Sequence, residues 1–514
     1  MSISNKLLLL FFILTMACQV PLKDEPGQNG RSGTPNIVLL LTDDQTYKTI
    51  GALGNDEIYT PNIDRLVNGG VTFTHAFNMG GWNGAVCIAS RSMIISGQSI
   101  WRAQQKDSLW RKNDTTAFSQ TWGRLMKQHG YNTYMSGKWH VQAPPDQVFA
   151  TVRHVRPGMP SDSWGKGGGD KKVAEAFKNN ADVVAAMPVG YNRPIDENDN
   201  SWSPTDPKFG GFWEGGQHWS EVLKNDALAF IKDASKREDP FFMYLAFNAP
   251  HDPRQSPQEF IDKYPIENIS LPKSFLPQYP WKDSIGNSQL LRDEALAPFP
   301  RTEYAVKKHR QEYYAIITHL DEQIGEILDA LEESGKMGNT YIFLTSDHGL
   351  AIGEHGLIGK QNMFDHSIRV PLIVSGPDIP KGKKLGQDVY LQDIMATSLE
   401  LAGIEKPAYV DFHSFLDIIN GESTKSHYDE IYGCYMDYQR MIRKEGYKLI
   451  VYPRIKKVLL FDLEKDAEEI NNLADISKYK EKVKKLFNEL VDLQNAMGDK
   501  LDLSYVQSDL NTRL

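Results

Sequence analysis

Six short stretches of this chain carry side chains that could act together in one reaction. Asp43-Asp44 is an adjacent carboxylate pair. Such charges repel unless a cation holds them, and hard divalent ions take oxygen ligands; alone, the pair reads equally well as a solvated turn. Cys87 and Arg91 are four apart in Cys87-Ile88-Ala89-Ser90-Arg91, so on a helix they share a face. A helix N-terminus there would favour an anion. Cys87 is then either a nucleophilic thiolate stabilised by Arg91 or a small helix residue, partly buried, beside a surface arginine. Lys138 and His140, two apart at a strand end, point the same way. They supply a cation and an acid/base group, as does His251 in Pro250-His251-Asp252-Pro253. Asp347-His348 pairs an acid with an imidazole after another apolar run, which suits metal ligation. Gly353-Glu354-His355-Gly356-Leu357-Ile358-Gly359-Lys360 adds a further cation, on a stretch whose glycines allow close backbone approach.

The elements between these stretches indicate where they meet. Asn36–Thr42 is a continuous apolar run that ends on Asp43-Asp44, as a buried parallel strand would. Pro240–Phe247, Thr340–Thr345 and Val370–Val374 read the same way. Amphipathic helices are expected at Pro61–Asn68, Phe118–His129, Ser220–Ser235, Tyr304–Ser334 and Leu391–Ala402. Strands alternating with helices predict an α/β fold: a large, mostly parallel sheet sandwiched by helices. Ligands in such folds sit at the carboxyl ends of strands, where these polar residues fall. Residues 144–216 and 264–302, rich in Gly, Pro, Asn and Asp, read as long functional loops. After residue 420, Glu430–Met436, Gln439–Arg443 and Tyr447–Tyr452 read as antiparallel strands, and Ser477–Ala496 as a helix. These predict a smaller C-terminal α+β subdomain over 421–514, behind a catalytic domain over 35–420.

The 514 residues carry a net charge of −9, which implies no broad basic face and argues against a nucleic-acid partner. Lys6, the apolar run Leu7–Leu14 and Thr15-Met16-Ala17-Cys18 read as an export signal over 1–18, too short to span a membrane. A small residue directly before Cys18 matches the cleavage site of bacterial lipoproteins, where the cysteine is lipidated. Residues 19–34 then read as a flexible tether. The expected location is the periplasm or cell surface, with attachment to the outer membrane through the Cys18 lipid. Of the other two cysteines, Cys434 reads as a small buried hydrophobe, and Cys87 needs a chemical reason in an exported protein.

Taken in order, these motifs resemble those of the type I, formylglycine-dependent sulfatases of the alkaline phosphatase superfamily, over nearly all of the chain from about residue 34. The Phe461-Asp462-Leu463-Glu464-Lys465-Asp466 segment, with Asn472-Leu473 after it, resembles that family's C-terminal signature. The resemblance implies one calcium ion bound by Asp43, Asp44, Asp347 and His348 together with residue 87, and a formylglycine made from Cys87 by a maturase. It implies that Arg91 positions residue 87, and that Lys138, His140, His251 and Lys360 supply the sulfate-pocket cations and acid/base groups. Hydrated formylglycine 87 would attack sulfur, His251 or else Lys360 would protonate the leaving oxygen, and His140 would take the proton that releases sulfate. His348 could share that base role. Two positions depart from the usual pattern. Ala89 stands where the maturation motif commonly has Pro, and His348 stands where many relatives have Asn, a softer donor than calcium prefers.

A sulfated carbohydrate is the expected substrate: an algal glycan such as ulvan or carrageenan, or a glycosaminoglycan or mucin. Arg254, Gln255, Arg102 and His355 adjoin the motifs and are candidates to read the sugar. Trp82, Trp101, Trp139, Trp202, Trp213 and Trp219 are candidate stacking platforms or core aromatics. A phosphonate monoester or phosphodiester hydrolase of the same superfamily, or a non-catalytic lipoprotein that binds sulfated glycans, are the alternatives. A two-zinc phosphatase would need a second His/Asp set that the sequence lacks.

Overall fold

The computed structural model describes residues 33–160 and 163–513. The export signal, Cys18 and nearly all of the tether lie outside the described residues. Pro35–Leu514 form one compact unit. Among the described residues no helix is long and apolar enough to cross a membrane.

An eight-stranded sheet forms the centre. In chain order its strands are β1 (Asn36–Thr42), β2 (Val71–Phe77), β3 (Asn132–Lys138), β4 (Thr151–Arg156), β5 (Phe241–Ala246), β6 (Thr340–Ser346), β7 (Arg369–Ser375) and β8 (Lys383–Tyr390). Their spatial order is β8-β2-β7-β6-β1-β5-β3-β4. The four strands whose ends carry the candidate residues, β6, β1, β5 and β3, are consecutive and parallel. Leu39 of β1 pairs with Tyr244 on one side and Phe343 on the other. Every residue of β1 is buried, as a central strand covered on both faces requires. Each of its Ile, Val and Leu side chains contributes on the order of 1.5–3 kcal/mol by leaving water. One face packs against Trp122, Trp139 and Phe149; the other packs against Trp219–Ala234 and the long helix Glu303–Glu333.

The sequence reading needs correction at several elements. Val370–Val374, read as parallel, forms β7, which runs antiparallel to both β6 and β2. An apolar run fixes burial but not direction. Residues 144–216 are not wholly loop: they contribute edge strand β4 and a helix, Gly169–Lys178. The helix expected at Phe118–His129 is two pieces, Thr115–Ser119 and Trp122–Gln128. The C-terminal strands Ile431–Tyr435, Gln439–Lys444 and Tyr447–Tyr452 are joined by a fourth, Lys457–Asp462. Gly80–Gly81, from the other end of the chain, adds a parallel fifth. A Cβ on Gly80 would collide with the Cys434 carbonyl, so this seam accepts only glycine. The helix Lys480–Met497 covers this small sheet through Val483, Leu486, Phe487 and Leu490.

Candidate active site

Four neighbouring strands end within reach of one helix. Asp43 and Asp44 follow β1, Lys138 ends β3, His251 follows β5, and Asp347-His348 follow β6. Asp44 has a φ of 68°, so its carboxylate turns away from the strand direction at once. Gly137 precedes Lys138 at a φ of 96°, and a side chain there would strike the Ala246 carbonyl of β5. The helix Val86–Ser96 places Cys87 in its first turn, and this helix is buried along almost its whole length.

The residues meet at the Cys87 sulfur. Asp43 Oδ1 lies 3.4 Å and Asp44 Oδ1 3.8 Å from Sγ. Lys360 Nζ approaches Sγ at 3.1 Å and the two Asp44 oxygens at 2.8 and 2.6 Å. Lys138 pairs with Asp43. Arg91 donates from Nε to Asp347 at 2.7 Å and from Nη1 to the Lys138 carbonyl at 2.7 Å. Three carboxylates (Asp43, Asp44, Asp347) and three cations (Arg91, Lys138, Lys360) are thus packed in a space from which water is excluded.

This environment bears on the two readings of Cys87. Burial first, and Asp347 second, push its thiol well above the ordinary range, against Lys138 and Lys360. Arg91 is engaged with Asp347 rather than with the sulfur. The surroundings thus favour the neutral thiol of the unmodified side chain over the thiolate. Burial also raises Asp43, and raises Asp44 to about 7. Burial opposes ionisation of Asp347 too, but Arg91, Lys138 and Lys360 together carry it down to about 2.

The side chains gathered here could hold a metal ion. Single ligand atoms of Asp43, Asp44, Cys87 and His251 lie within 4.8 Å of one another. Asp347 Oδ1 adjoins the Asp44 amide at 3.3 Å. His348 supplies a second argument. Its Nδ1 lies 2.9 Å from the Gly349 carbonyl, which can only accept, so Nδ1 carries the hydrogen. That leaves a lone pair on Nε2, which is buried and has no partner, the state of a metal-ligating imidazole. Asp347 and His348 fall outside the tightest group of ligand atoms, and His251 falls inside it.

Above the sulfur opens a cavity of about 530 Å³, lined among others by Cys87, His140, His251, Lys360, Arg292 and Trp164. His251 Nε2 lies 3.6 Å from Asp44 Oδ2. Its Nδ1 lies 2.6 Å from the Asp252 carbonyl, so Nδ1 donates there and Nε2 is the atom that gains or loses a proton. Burial, then Lys360 and Lys138, keep His251 well below the usual imidazole range. Burial and Lys138 do the same to His140, whose φ is 55°.

The structure brings the chemical residues together but not those assigned to the sugar. Arg102 pairs with Asp411 on the surface. Arg254 is buried against His309 and Tyr313. Gln255 binds the Trp213 indole and loop carbonyls. His355 stacks on Phe364 at 4.0 Å. None of these lines the cavity, and neither do the six candidate tryptophans; Trp164, not singled out in the sequence, does. Sequence reasoning also missed Arg292, held by Asp252 at 2.5 and 3.1 Å. Its place inside the Pro-rich stretch 264–302 gave no signal.

The residues 35–404 match the family model Sulfatase, and 353–496 match the model N-sulphoglucosamine sulphohydrolase, C-terminal. The chain is 30% identical to an arylsulfatase of Clostridium perfringens, over 87% of this chain and 92% of that one. A solved structure of a protein in complex with its substrate D-glucosamine-2-N,6-O-disulfate superposes with a TM-score of 0.66 at 21% identity, over 91% of this chain and 99% of that one. The phosphonate monoester hydrolase of Agrobacterium radiobacter reaches the same TM-score at 18% identity, over 90% and 96%. The chain shares the fold of both solved structures. With a family model covering most of its length and buried acidic, cationic and cysteine side chains meeting at the strand ends, this chain belongs to the Sulfatase family and is a sulfuric ester hydrolase.

Proposed function

We propose that this enzyme removes sulfate from a sulfated carbohydrate, using a formylglycine made from Cys87 and one calcium ion held by Asp43, Asp44, Asp347, His348 and residue 87. The observation that carries the reading is the approach of Asp43, Asp44 and Lys360 to the Cys87 sulfur at the floor of the cavity. When bound, calcium supplies positive charge for the sulfate oxygens, and the oxidised residue 87 supplies the attacking oxygen. Lys138 and Lys360 are placed to take the sulfate oxygens, and fixed cations in a dry site cost no reorganisation as charge develops. Arg91 anchors Asp347 and the Lys138 backbone, which keeps both in register. The sugar oxygen would take its proton on leaving from His251 Nε2, once that bare nitrogen has gained one, or else from the Lys360 ammonium, which is charged at rest. His140, neutral at rest, is placed to accept a proton from residue 87.

A carbohydrate substrate is supported by the match to the N-sulphoglucosamine sulphohydrolase model and by the sulfated glucosamine that the fold neighbour takes as its substrate. The leader over 1–18 and Cys18 support an exported, lipid-anchored enzyme that meets its substrate outside the cytoplasm, and Cys87 within its motif supports a maturase partner. The phosphonate monoester hydrolase neighbour keeps a second reading open to trial. Rates on 4-nitrophenyl sulfate, a phosphate diester and a phosphonate monoester, measured on protein coexpressed with a maturase, separate the two. A preference for sulfate supports the proposal, and a preference for the phosphonate overturns it.

A further inference from the structure

Lys360 lies in no strand or helix, yet its ammonium must meet Asp44 and Cys87 to within a few tenths of an ångström. What fixes it is a buried frame built from the Pro-rich segment before the long helix. The Ile358 and Gly359 amides both donate to the Glu294 carboxylate, at 3.2 and 3.0 Å. Asn287 adds a third donor at 3.1 Å. Arg301 pairs with the same carboxylate and also donates to the Glu294 carbonyl at 2.9 Å and the Gly356 carbonyl at 3.2 Å. One ion pair therefore ties residues 294–301 to residues 356–359. On the far side of Lys360, Gln361 accepts the Lys360 amide at 3.0 Å and donates to Asp293 at 2.5 Å and to the Gly84 carbonyl at 3.0 Å. Gln439 of the small sheet donates to the Gln361 carbonyl at 2.8 Å.

The side chains of both Glu294 and Arg301 are fully buried. A buried ion pair rarely repays its desolvation as stability alone, and fixing a unique arrangement is the better-attested return. Gly359 shows how tightly the frame fits. A Cβ there would lie 2.8 Å from Gln361 Oε1 and 3.0 Å from Glu294 Oε1.

We propose that Glu294, clamped by Arg301, is a positioning residue that sets the Lys360 ammonium against residue 87. The proposal rests on the sulfatase reading of Lys360. It is tested by sulfate release from 4-nitrophenyl sulfate with the full matured chain as wild type, Glu294→Gln, Lys360→Ala and the double variant. Glu294→Gln is expected to lose about tenfold or more in kcat, the scale on which misplacement of a reacting group acts. In the Lys360→Ala background the same substitution is expected to change the rate less than about twofold, because neighbours that act as a unit are non-additive. An equal loss in both backgrounds, or none in either, overturns the proposal. Should Glu294→Gln fail to fold, Gly359→Ala perturbs the same frame and is held to the same comparison. A second readout needs no turnover. In crystals of unmatured Glu294→Gln, Lys360 Nζ is expected to leave its 3.1 Å approach to the Cys87 sulfur while Asp43 and Asp44 keep their positions. A wild type that releases no sulfate defeats the sulfatase reading, and the Lys360 position then decides the positioning claim by itself: an unmoved ammonium overturns it.

Discussion

Two buried clusters in this molecule contain the same charges and do different things. At the strand ends Asp43, Asp44 and Asp347 face Arg91, Lys138 and Lys360. Between the two sheets Asp365, Asp388 and Glu469 face Arg369, Arg443 and Lys448. In the second cluster each cation bridges separate elements. Lys448, fully buried, reaches Asp365, Glu469 at 2.6 Å and the Met363 carbonyl at 3.2 Å. Arg443 of the small sheet reaches Asp388 of β8 at 3.1 Å. That cluster is a clamp. The first differs in containing a sulfur and in bringing Cys87, His140, His251 and Lys360 to one cavity at the ends of parallel strands. Charge content alone does not mark a site; a sulfur and two imidazoles beside the charges, facing one cavity, do.

The comparison breaks if substitutions in the two clusters have the same consequences. Cys87→Ala is expected to cut sulfate release at least about a thousandfold, as loss of a nucleophile does. Its melting temperature should stay within a few degrees of wild type, since a buried thiol contributes little beyond packing. Lys360→Ala should lower kcat by about 10²–10³, the scale of one preorganised charge, again read as sulfate release. Lys448→Met should do the reverse. Breaking the clamp leaves Asp365 and Glu469 short of a partner, with an expected loss of about 3–5 kcal/mol in denaturant unfolding, while kcat per folded molecule holds within about twofold. A large kcat loss in Lys448→Met would erase the distinction.

Smaller effects sharpen it. A Cβ on Gly158 would lie 2.8 Å from the His140 ring, and Gly158 is not among the positive-φ glycines. Gly158→Ala should therefore move the imidazole alone and lower kcat by about tenfold, with the pH profile displaced. Glu469 gives the clamp a pH signature. Burial, opposed by Lys448, raises it from 4.5 to about 7, so the fold favours its neutral form. Its contribution to stability is complete below pH 4.5 and is lost as pH rises through about 7. Glu469→Gln should flatten the fall in stability over that window in denaturant titrations, and an unchanged slope would remove Glu469 from the account.

Much of this was legible in the sequence. β1 was legible to the residue because Ile37–Leu41 are all apolar, and the polar doublets at strand ends marked where ligands gather. β2, β4 and β8 were not: Val71–Phe77 alternates threonines with apolar residues, while Thr151–Arg156 and Lys383–Tyr390 are polar edge strands. Asp43, Asp44, Cys87, Lys138 and Asp347 emerged because each ends or follows a strand or begins a helix, and Lys360 because glycines crowd the stretch before it. Glu294, Arg301 and Arg292 could not emerge, since a buried charge and a solvated one look alike in a sequence. Arg102 lies one helix beyond Arg91 and pairs with Asp411 at the surface, away from the cavity, since closeness along the chain does not fix closeness in space.

The most direct measurement is release of inorganic sulfate from a panel of sulfated glycans and their oligosaccharides, by full-length protein coexpressed with a maturase and supplied with calcium. The account predicts release from one glycan class and none from the same panel with Cys87→Ala. No release from any member, with residue 87 shown by peptide mass to be oxidised, would contradict it.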